Sequence, residues 1–363
     1  MSTTLDYTIA RADSPLPDDQ RARILADPGF GRYFTDHMIT VDWTPEDGWH
    51  QARLRPYGPL QLDPATAVLH YAQEIFEGLK AYRHADGTIW TFRPHANAAR
   101  MRASARRMAL PELAEDEFVA ALDLLVGTDR DWVPEGGETS LYVRPFMFAS
   151  EVFLGVRPSR HVTFCVIASP AGAYFSAGVK PVSIWLSEEY TRAARGGTGA
   201  AKCGGNYAAS LIAQQEAIEH GCDQVAFLDA VDRRWVEELG GMNLYFVYED
   251  GRLVTPELTG TILEGITRNA ILSLGKDIGL DVEERRIDIE EWRSGITDGR
   301  ITEVFACGTA AVLTPIGRLA WNGGELQCAD GEGGAVTAQL RQRLLDIQYG
   351  RAEDTHGWMH RIC

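Results

Sequence analysis

A lysine flanked by glycines is the clearest chemical signal in this sequence. Residues 195–207 read RGGTGAAKCGGNY, and the lysine among them is Lys202. Glycines on both sides let the backbone approach a flat molecule closely and leave the amine room to react. A Schiff base to an aldehyde cofactor needs such a setting. The commoner alternative is a surface loop that carries one exposed lysine.

The scarcity of lysine adds weight to the chemical interpretation. The chain has four lysines, at positions 80, 180, 202 and 276, against 31 arginines. Arginine keeps its proton in proteins, whereas a lysine amine can lose it. A lysine kept inside a glycine-rich segment therefore indicates chemistry rather than charge.

Two other glycine motifs are excluded by spacing. A dinucleotide-binding GxGxxG turn that starts at Gly197 requires glycine at position 202, where lysine stands. A phosphate-binding GxxxxGK[ST] loop that ends at Gly275-Lys276 requires glycine at 270 and a hydroxyl residue at 277. Those positions hold Ala270 and Asp277.

Three further segments carry weaker signals. Glu238 lies just before a glycine pair, where a carboxylate suits a cofactor ring nitrogen, although a solvated glutamate pair reads the same way. Gly265 precedes a predicted helix that bears Thr267, and a helix N-terminus attracts phosphate. The CGTA turn at 307–310 offers backbone donors to a phosphate or a carboxylate, or is simply a tight structural turn.

Two arginines invite different interpretations. Arg144 lies in the apolar strand segment LYVRP, where a guanidinium is costly unless it meets an anion. Arg100 lies in a helix opened by Pro94, together with other arginines. A solvated basic face is the ordinary interpretation of that helix.

Composition limits the class of protein. The chain has 363 residues, 45% of them hydrophobic, which is enough for a sizeable core, and a net charge of −16. That charge disfavours nucleic acid and anionic membranes as partners. No apolar run approaches the length of a membrane-spanning helix, and the six cysteines show no metal-binding spacing. We expect a cytoplasmic protein without disulfides or a structural metal.

The order of predicted elements indicates an α+β chain of two domains. The first half alternates strands with helices over 94–110 and 116–126, and residues 67–82 read as extended. In the second half Asn206 is the predicted N-cap of a helix that ends before Gly221. We expect a small N-terminal α+β domain over 1–175, a linker over 176–188 and a larger cofactor-binding domain over 189–363.

Taken together, these segments resemble the branched-chain amino-acid aminotransferases, which are fold-type IV enzymes dependent on pyridoxal 5′-phosphate. The resemblance covers nearly the whole chain. It is carried in order by FGRYFTDH at 30–37, FEGLK at 76–80, SLYVRP at 140–145, GAYF at 172–175, KCGGNY at 202–207, QQE at 214–216 and DIQYG at 346–350.

The resemblance implies a fold and a set of roles. The fold is the two-domain one shared with D-amino-acid aminotransferase, with the active site between the domains. Lys202 is similar to the Schiff-base lysine, Tyr207 to the neighbour of the cofactor's phenolate oxygen, and Glu238 to the partner of the pyridine nitrogen. The residues that match the phosphate cup are Arg100, Ile266, Thr267 and Thr309.

The implied substrate pocket is apolar with one cation. Its matching residues are Phe30, Tyr71, Phe76, Tyr142, Val156 and Tyr174. Arg144 matches the residue that receives the side-chain carboxylate of glutamate, and backbone near Ala310 contacts the α-carboxylate. Family members of this kind are homodimers in which the loop with Val156 is lent across the interface.

Two departures from mammalian members follow from the alignment of motifs. Their CxxC after the Gly-Thr-Ala turn is replaced here by Ala311 and Thr314, so we expect no thiol switch at that place. Gly241 stands where they have a threonine near the substrate carboxylate, and water or backbone must make that contact.

The expected reaction is ping-pong transamination of leucine, isoleucine or valine with 2-oxoglutarate. In the same fold, a D-amino-acid aminotransferase or an aminodeoxychorismate lyase would share the lysine and the glutamate. The LYVR strand and the chain length argue against both. A non-catalytic cofactor-binding protein is the alternative from another class.

Overall fold

The computed structural model describes residues 5–172, 180–328 and 333–363. By backbone contacts the chain divides into two compact units. Among the described residues, the first unit comprises 5–172, 201–204 and 346–363, and the second comprises 180–200, 205–328 and 333–345. The short segment 201–204, which contains Lys202, thus belongs with the first unit although its neighbours on both sides belong to the second.

The elements alternate strands and helices along the chain. The strands are β1 (Thr8–Ile9), β2 (His37–Thr44), β3 (Gly48–Pro56), β4 (Glu74–Phe76), β5 (Leu79–Arg83), β6 (Ile89–Phe92), β7 (Ser140–Ala149), β8 (Val162–Ala171), β9 (Val182–Ser187), β10 (Gln224–Leu228), β11 (Val236–Leu239), β12 (Asn243–Tyr248), β13 (Arg252–Pro256), β14 (Asp281–Arg285), β15 (Ile301–Gly308), β16 (Val312–Trp321), β17 (Gly324–Gln327) and β18 (Met359–Arg361). The α-helices are α1 (Asp18–Ala26), α2 (Val68–Tyr71), α3 (Pro94–Arg107), α4 (Glu115–Thr128), α5 (Gly204–Glu219), α6 (Ile266–Asp277), α7 (Ile289–Thr297) and α8 (Ala335–Gln348).

The first unit is built on one sheet with two covering helices. Its strand order is β1-β3-β2-β8-β7-β5-β6-β18, and β4 pairs with β7. Helix α3 buries Ala98, Met101 and Ala105, spaced three and four residues apart, which is the spacing of one helix face. Helix α4 buries Phe118 and Leu122 on the same principle and packs on β2 and β8. These contacts make the core that supports β7.

The second unit has a sheet with a buried parallel centre. Its strand order is β11-β10-β9-β16-β15-β12-β13-β14, and β17 pairs with β16. Strand β9 runs parallel to both β10 and β16. Parallel strands covered on both faces read as continuous apolar runs, as β10 does over Val225–Leu228. Helices α6 and α7 pack on β15 and give this unit its own core.

Most predicted elements are found, and one differs in kind. The helices predicted over 94–110 and 116–126 are α3 and α4, and Gly221 follows α5 with φ +67°. The prediction that residues 67–82 are extended is wrong at its start, because Val68–Tyr71 forms one helical turn. Ala72 ends that turn in the left-handed region at φ 48°, which the sequence does not signal because alanine rarely adopts it.

Asn206 does not cap its helix, contrary to the prediction. Helix α5 begins at Gly204, so Asn206 lies in its first turn and is buried. The Asn206 side chain accepts a hydrogen bond from Thr198 Oγ1 (2.6 Å) and donates one to the Thr198 carbonyl (2.8 Å). Its amide therefore fixes the glycine-rich loop before Lys202 rather than the helix end.

Two features bear on the domain boundaries. The segment predicted as a linker, 176–188, contains β9, whose residues Ile184–Ser187 are buried at the centre of the second sheet. The C-terminal residues return to the first unit, where β18 pairs with β6. No helix of the described residues is long and apolar enough to cross a membrane.

Candidate active site

Strand β7 presents two of the predicted site residues on one face. Burial alternates along the strand, so that Tyr142, Arg144 and Phe146 are half-buried while Leu141 and Val143 are buried. A period of two is the geometry of a strand with one face on the core. Tyr142 and Arg144 therefore emerge side by side on the opposite face.

Arg144 lies among aromatic rings with little polar company. Its guanidinium carbon is 4.8 Å from the Phe76 ring centroid and 5.3 Å from that of Tyr142. Nη2 donates a 3.0 Å hydrogen bond to Tyr142 Oη, and the buried Nε has no partner among the described residues. A cation held this way over π faces still lacks a counter-anion in direct contact, which favours an anionic ligand.

Gly78 explains how Tyr142 fits beside this strand. A Cβ at Gly78 would lie 2.0 Å from Tyr142 Oη, so any other residue would displace the tyrosine. Phe30 packs edge-on against Tyr142 with ring centroids 5.1 Å apart. The sequence FEGLK thus supplies both an aromatic wall, Phe76, and the space for a second one.

The main chain of Lys202 is held on both sides. Its N–H donates to Ser104 Oγ (2.9 Å), and its carbonyl accepts from the Phe76 N–H (2.9 Å). Two residues later, the Gly204 N–H donates to Glu74 Oε1. These bonds attach the segment 201–204 to α3 and β4, and they direct the amine towards Phe76, where Nζ is 4.8 Å from the ring centroid.

The amine of Lys202 is chemically unusual. Burial, followed by the positive charge of Arg100, lowers the pKa of Lys202 from 10.5 to about 8. Glu77 and Tyr142 oppose that shift, and Arg144 adds to it. Removing a charged amine from water favours its neutral form, which is the nucleophilic one. We call Lys202, Arg100, Glu77, Tyr142 and Arg144 the lysine cluster.

Within the lysine cluster, Arg100 is oriented by Glu77. Arg100 Nε and Nη2 donate to the two carboxylate oxygens of Glu77, each at 2.8 Å, and Asn97 Nδ2 donates to Oε2 at 2.8 Å. The Glu77 side chain is fully buried. Such a bidentate pair fixes the plane of the guanidinium. Sequence reasoning misses Glu77, although a glutamate between Phe76 and Gly78 in an apolar stretch is an available signal.

Glu238, in the second unit, has a saturated environment. Oε1 accepts from Arg192 Nη1 (2.9 Å) and from the Leu263 N–H (2.8 Å), and Oε2 accepts from Asn243 Nδ2 (3.1 Å). The glutamate and arginine side chains are almost fully buried. We call these four residues the carboxylate cluster. A buried carboxylate needs this much compensation to stay charged.

Sequence reasoning also misses Arg192. Its Nη1 donates to the Thr261 carbonyl (2.8 Å) as well as to Glu238. Arg192 stands three residues before the glycine-rich segment and carries no distinguishing pattern there. Only the fold, which brings 192, 238 and 261 together, reveals the ion pair.

Helix α6 begins at a predicted phosphate-binding position. Gly265 is its N-cap and has no side chain to bond the first turn, which contains the buried Ile266 and Thr267. A Cβ at Gly265 would lie 2.0 Å from Asn243 Oδ1, so glycine is required for this close approach. A helix start without a side-chain cap, next to a buried hydroxyl, suits an anion.

The remaining predicted residues of the second unit lie near turns. Thr309 and Ala310 occupy the turn between β15 and β16 and are half-buried. Tyr207 lies in the first turn of α5, and a Cβ at Gly241 would be 3.7 Å from its Cε1, an ordinary contact distance. There is thus room for a side chain at position 241, although the sequence has none.

Not every predicted pocket residue is brought to the lysine cluster. Tyr71 donates its hydroxyl to the Leu154 carbonyl and is 39% exposed, and Val156 is 87% exposed on the same loop. Both lie in a region of exposed apolar side chains around Val152–Val156. Tyr174 lies outside the described residues.

Comparison with known proteins gives a consistent result. The family model described as amino-transferase class IV matches residues 74–319. A branched-chain-amino-acid aminotransferase of Mycolicibacterium smegmatis is 58% identical over 365 residues and covers 99% of both chains. A probable branched-chain-amino-acid aminotransferase of Streptomyces coelicolor is 59% identical, covering 99% of this chain and all of its own.

Solved structures agree. A branched-chain amino acid aminotransferase whose source is abbreviated T.th., solved with pyridoxamine 5′-phosphate, superposes with a TM-score of 0.74 at 28% identity, over 89% of this chain and 98% of that one. The T.th. enzyme has also been solved with N-(5′-phosphopyridoxyl)-L-glutamate and with 4-methylvaleric acid, each with a TM-score of 0.72 at 27% identity over the same shares of the two chains.

Proposed function

Because the chain belongs to the class IV aminotransferase family, we propose that it is a branched-chain-amino-acid aminotransferase that uses pyridoxal 5′-phosphate. The resemblance drawn from the sequence is confirmed by relatives of that name that cover 99% of the chain. The predicted α+β fold of fold type IV is confirmed by the structural neighbours. The observation that carries the function is a lysine amine with a lowered pKa beside Phe76, Arg100 and Arg144.

The residues present fit the cofactor. An aldehyde needs a neutral amine, and burial lowers the pKa of Lys202 to about 8. A pyridinium nitrogen needs a carboxylate in a dry setting, and Glu238 is 2% exposed. A phosphate needs backbone and hydroxyl donors, and helix α6 starts at a glycine whose Cβ would fill the space towards Asn243.

We assign roles accordingly. Lys202 binds the cofactor aldehyde, Tyr207 neighbours the phenolate oxygen and Glu238 contacts the ring nitrogen. The phosphate is held by Arg100, Ile266, Thr267 and Thr309. The bidentate contact of Arg100 with Glu77 supports this, because it fixes the guanidinium plane before any phosphate arrives.

The chain's own contribution to the reaction is proton transfer and orientation. When bound, pyridoxal 5′-phosphate supplies an electron sink for the carbanion that forms at the substrate α-carbon. The Lys202 amine, once released by the amino acid, accepts the α-proton and returns it to the cofactor's aldehyde carbon. Glu238, held by Arg192, keeps a negative charge next to the ring nitrogen and so retains the proton there.

The substrate pocket must accept an aliphatic chain and a carboxylate in turn. Phe30, Phe76 and Tyr142 supply apolar surface around Lys202, and Tyr71, Val156 and Tyr174 complete the proposed set. Arg144 pairs the side-chain carboxylate of glutamate. Gly241 and Ala310 lie by the α-carboxylate. The T.th. enzyme, solved with both a glutamate adduct and 4-methylvaleric acid, supports one pocket for both ligands.

The amino donors are leucine, isoleucine and valine, and the acceptor is 2-oxoglutarate. One methylene in an apolar pocket changes the transition-state free energy by roughly 1 to 3 kcal/mol. All three amino acids should therefore react. The products are the branched 2-oxo acids and glutamate.

We further propose a homodimer that acts in the cytoplasm. The loop with Val156 is lent to the partner's pocket in this arrangement. The exposure of Val152, Leu154 and Val156, between 58% and 87%, supports it, because neighbouring apolar side chains are seldom left in water.

One assay tests the function. The holoenzyme is supplied with 2-oxoglutarate and each of leucine, isoleucine, valine and D-alanine, and the 2-oxo acid formed is measured. We expect turnover with the three branched L-amino acids and none with D-alanine. Turnover with D-alanine alone would identify a D-amino-acid aminotransferase. Cofactor absorption without any turnover would identify a binding protein.

A further inference from the structure

Glu74 is a half-buried carboxylate that the proposed mechanism leaves unused. It lies on β4 two residues before Phe76, so both side chains point to the same face of the strand. Its Oε1 accepts the hydrogen bond from the Gly204 N–H, two residues after Lys202. Burial raises the pKa of Glu74, while the Gly204 bond and then the positive charge of Arg144 oppose that rise.

The charges around Lys202 show what Glu74 balances. Glu77 is engaged by Arg100 through two 2.8 Å bonds. Arg144 has no salt bridge within 4.0 Å among the described residues, and its Nε has no hydrogen-bond partner there. The negative charge that acts on Arg144 from the same strand face is that of Glu74.

We propose that Glu74 is a specificity-determining residue that acts through Arg144. With an aliphatic side chain in the pocket, Glu74 balances the guanidinium charge at a distance. With a glutamate side chain in the pocket, the same negative charge weakens the attraction of Arg144 for the incoming carboxylate. Glu74 thereby holds the two substrate classes at comparable affinity. This inference rests on the proposed function.

The size of the effect follows from Coulomb's law. At an effective dielectric constant of about 20, one unit charge several ångströms from an ionic contact changes the binding constant of a charged ligand roughly tenfold. An uncharged ligand of similar shape gains nothing from the change. The ratio of two affinities therefore isolates the charge of Glu74.

The test is a binding measurement on the holoenzyme with two unreactive probes, glutarate and 4-methylvalerate. These share a carboxylate for the α-carboxylate position and differ at the other end. In Glu74→Gln, which keeps an acceptor for the Gly204 N–H, we expect the dissociation constant of glutarate to fall roughly tenfold relative to that of 4-methylvalerate. Glu74→Asp, which keeps the charge, should retain most of the wild-type ratio. Glu46→Gln removes an exposed charge from the same unit and should leave the ratio unchanged.

A double-mutant cycle shows whether the effect passes through Arg144. In an Arg144→Ala background, Glu74→Gln should change the ratio by less than about twofold. A ratio that Glu74→Gln leaves unaltered in the otherwise wild-type enzyme would overturn the inference, as would an equal shift with Arg144 absent. Wild-type enzyme that turns over neither leucine nor glutamate would refute the proposed function itself, and this inference with it.

Discussion

The lysine cluster of the first unit and the carboxylate cluster of the second treat buried charge in opposite ways. In the carboxylate cluster every oxygen of Glu238 has a partner between 2.8 and 3.1 Å away, and a buried arginine opposes its charge. In the lysine cluster Lys202 and Arg144 lie over aromatic rings, and three cationic side chains accompany a single carboxylate. The first arrangement fixes a protonation state. The second keeps an amine and a guanidinium ready for ligands.

This difference predicts which substitutions abolish chemistry and which mainly loosen the fold. A group that reacts is irreplaceable for turnover but contributes little to stability, because its neighbours do not depend on it. A group that compensates another buried charge contributes to both, since its loss leaves the partner unpaired.

The largest effect is expected for Lys202→Ala. Turnover of leucine with 2-oxoglutarate should fall by at least roughly 10⁴-fold, because both the attachment of the cofactor and the proton transfer are lost. The thermal midpoint should change little. Lys276→Ala, at an exposed position on α6, is the matched control and should be fully active. Substantial turnover by the Lys202 variant would remove the lysine from the mechanism.

Glu238→Gln should affect both activity and stability. The amide cannot hold a proton on the ring nitrogen, so turnover should drop by about 10²-fold or more. Buried Arg192 loses its direct counter-charge, which should lower the free energy of unfolding by about 3 kcal/mol. Urea unfolding of the apoenzyme measures the second effect. Glu249→Gln, an exposed control, should show neither, and an apoenzyme of unchanged stability would contradict the role given to the Arg192 pair.

The two clusters also differ in how far the sequence foretells them. Local patterns and a family resemblance identify Lys202, Arg144 and Glu238, because a lone lysine among glycines or an arginine in a strand is visible in one segment. They do not identify Glu77 or Arg192, since each acts by orienting a residue distant in sequence. The error at Asn206 has a similar origin, because Thr198, which its side chain contacts, lies in a loop.

The elements show a similar division. Helices with a clear start or stop, such as the one opened by Pro94 and the one followed by Gly221, match closely. The single turn at Val68–Tyr71 is too short for any periodicity to be seen, and Ala72 at φ 48° gives no residue-type signal. Sequence patterns place strand β9 within a linker because its pairing with β10 and β16 depends on segments far along the chain.

Arg144→Ala sharpens the comparison within the lysine cluster. The glutamate half-reaction should lose roughly tenfold or more in kcat/KM relative to the leucine half-reaction, because only glutamate brings a second carboxylate to the guanidinium. Single-turnover conversion of the cofactor, followed by its absorbance, measures the two half-reactions separately. Arg160→Ala, at an exposed salt bridge, serves as the control. Equal losses in the two half-reactions would refute the assignment.

The lowered pKa of Lys202 predicts how the apoenzyme takes up its cofactor. Below pH 8 the amine is mostly protonated and unreactive, so the rate of reconstitution should rise nearly tenfold per pH unit and level off above about pH 8. An ordinary lysine would show the same rise up to a pH near 10.5. Stopped-flow absorbance after mixing apoenzyme with pyridoxal 5′-phosphate gives the profile. A rise that continues past about pH 9.5 would show that burial and Arg100 do not act on this amine as described.

The smallest effect is expected at Cys307, which borders the carboxylate cluster. Burial raises the pKa of the Cys307 thiol to about 12, and the negative charge of Glu238 acts in the same direction. A thiol this far from its thiolate form reacts slowly with oxidants, and Ala311 and Thr314 offer it no second thiol. Treatment of the holoenzyme with diamide should therefore leave kcat within about twofold of its starting value. Cys363, the half-buried one of the six cysteines, is removed in a Cys363→Ser control so that intermolecular disulfides do not confuse the result. Loss of activity in that variant, reversed by dithiothreitol, would show that the carboxylate side of the enzyme responds to redox state, and that its saturated hydrogen bonding does not make it chemically inert.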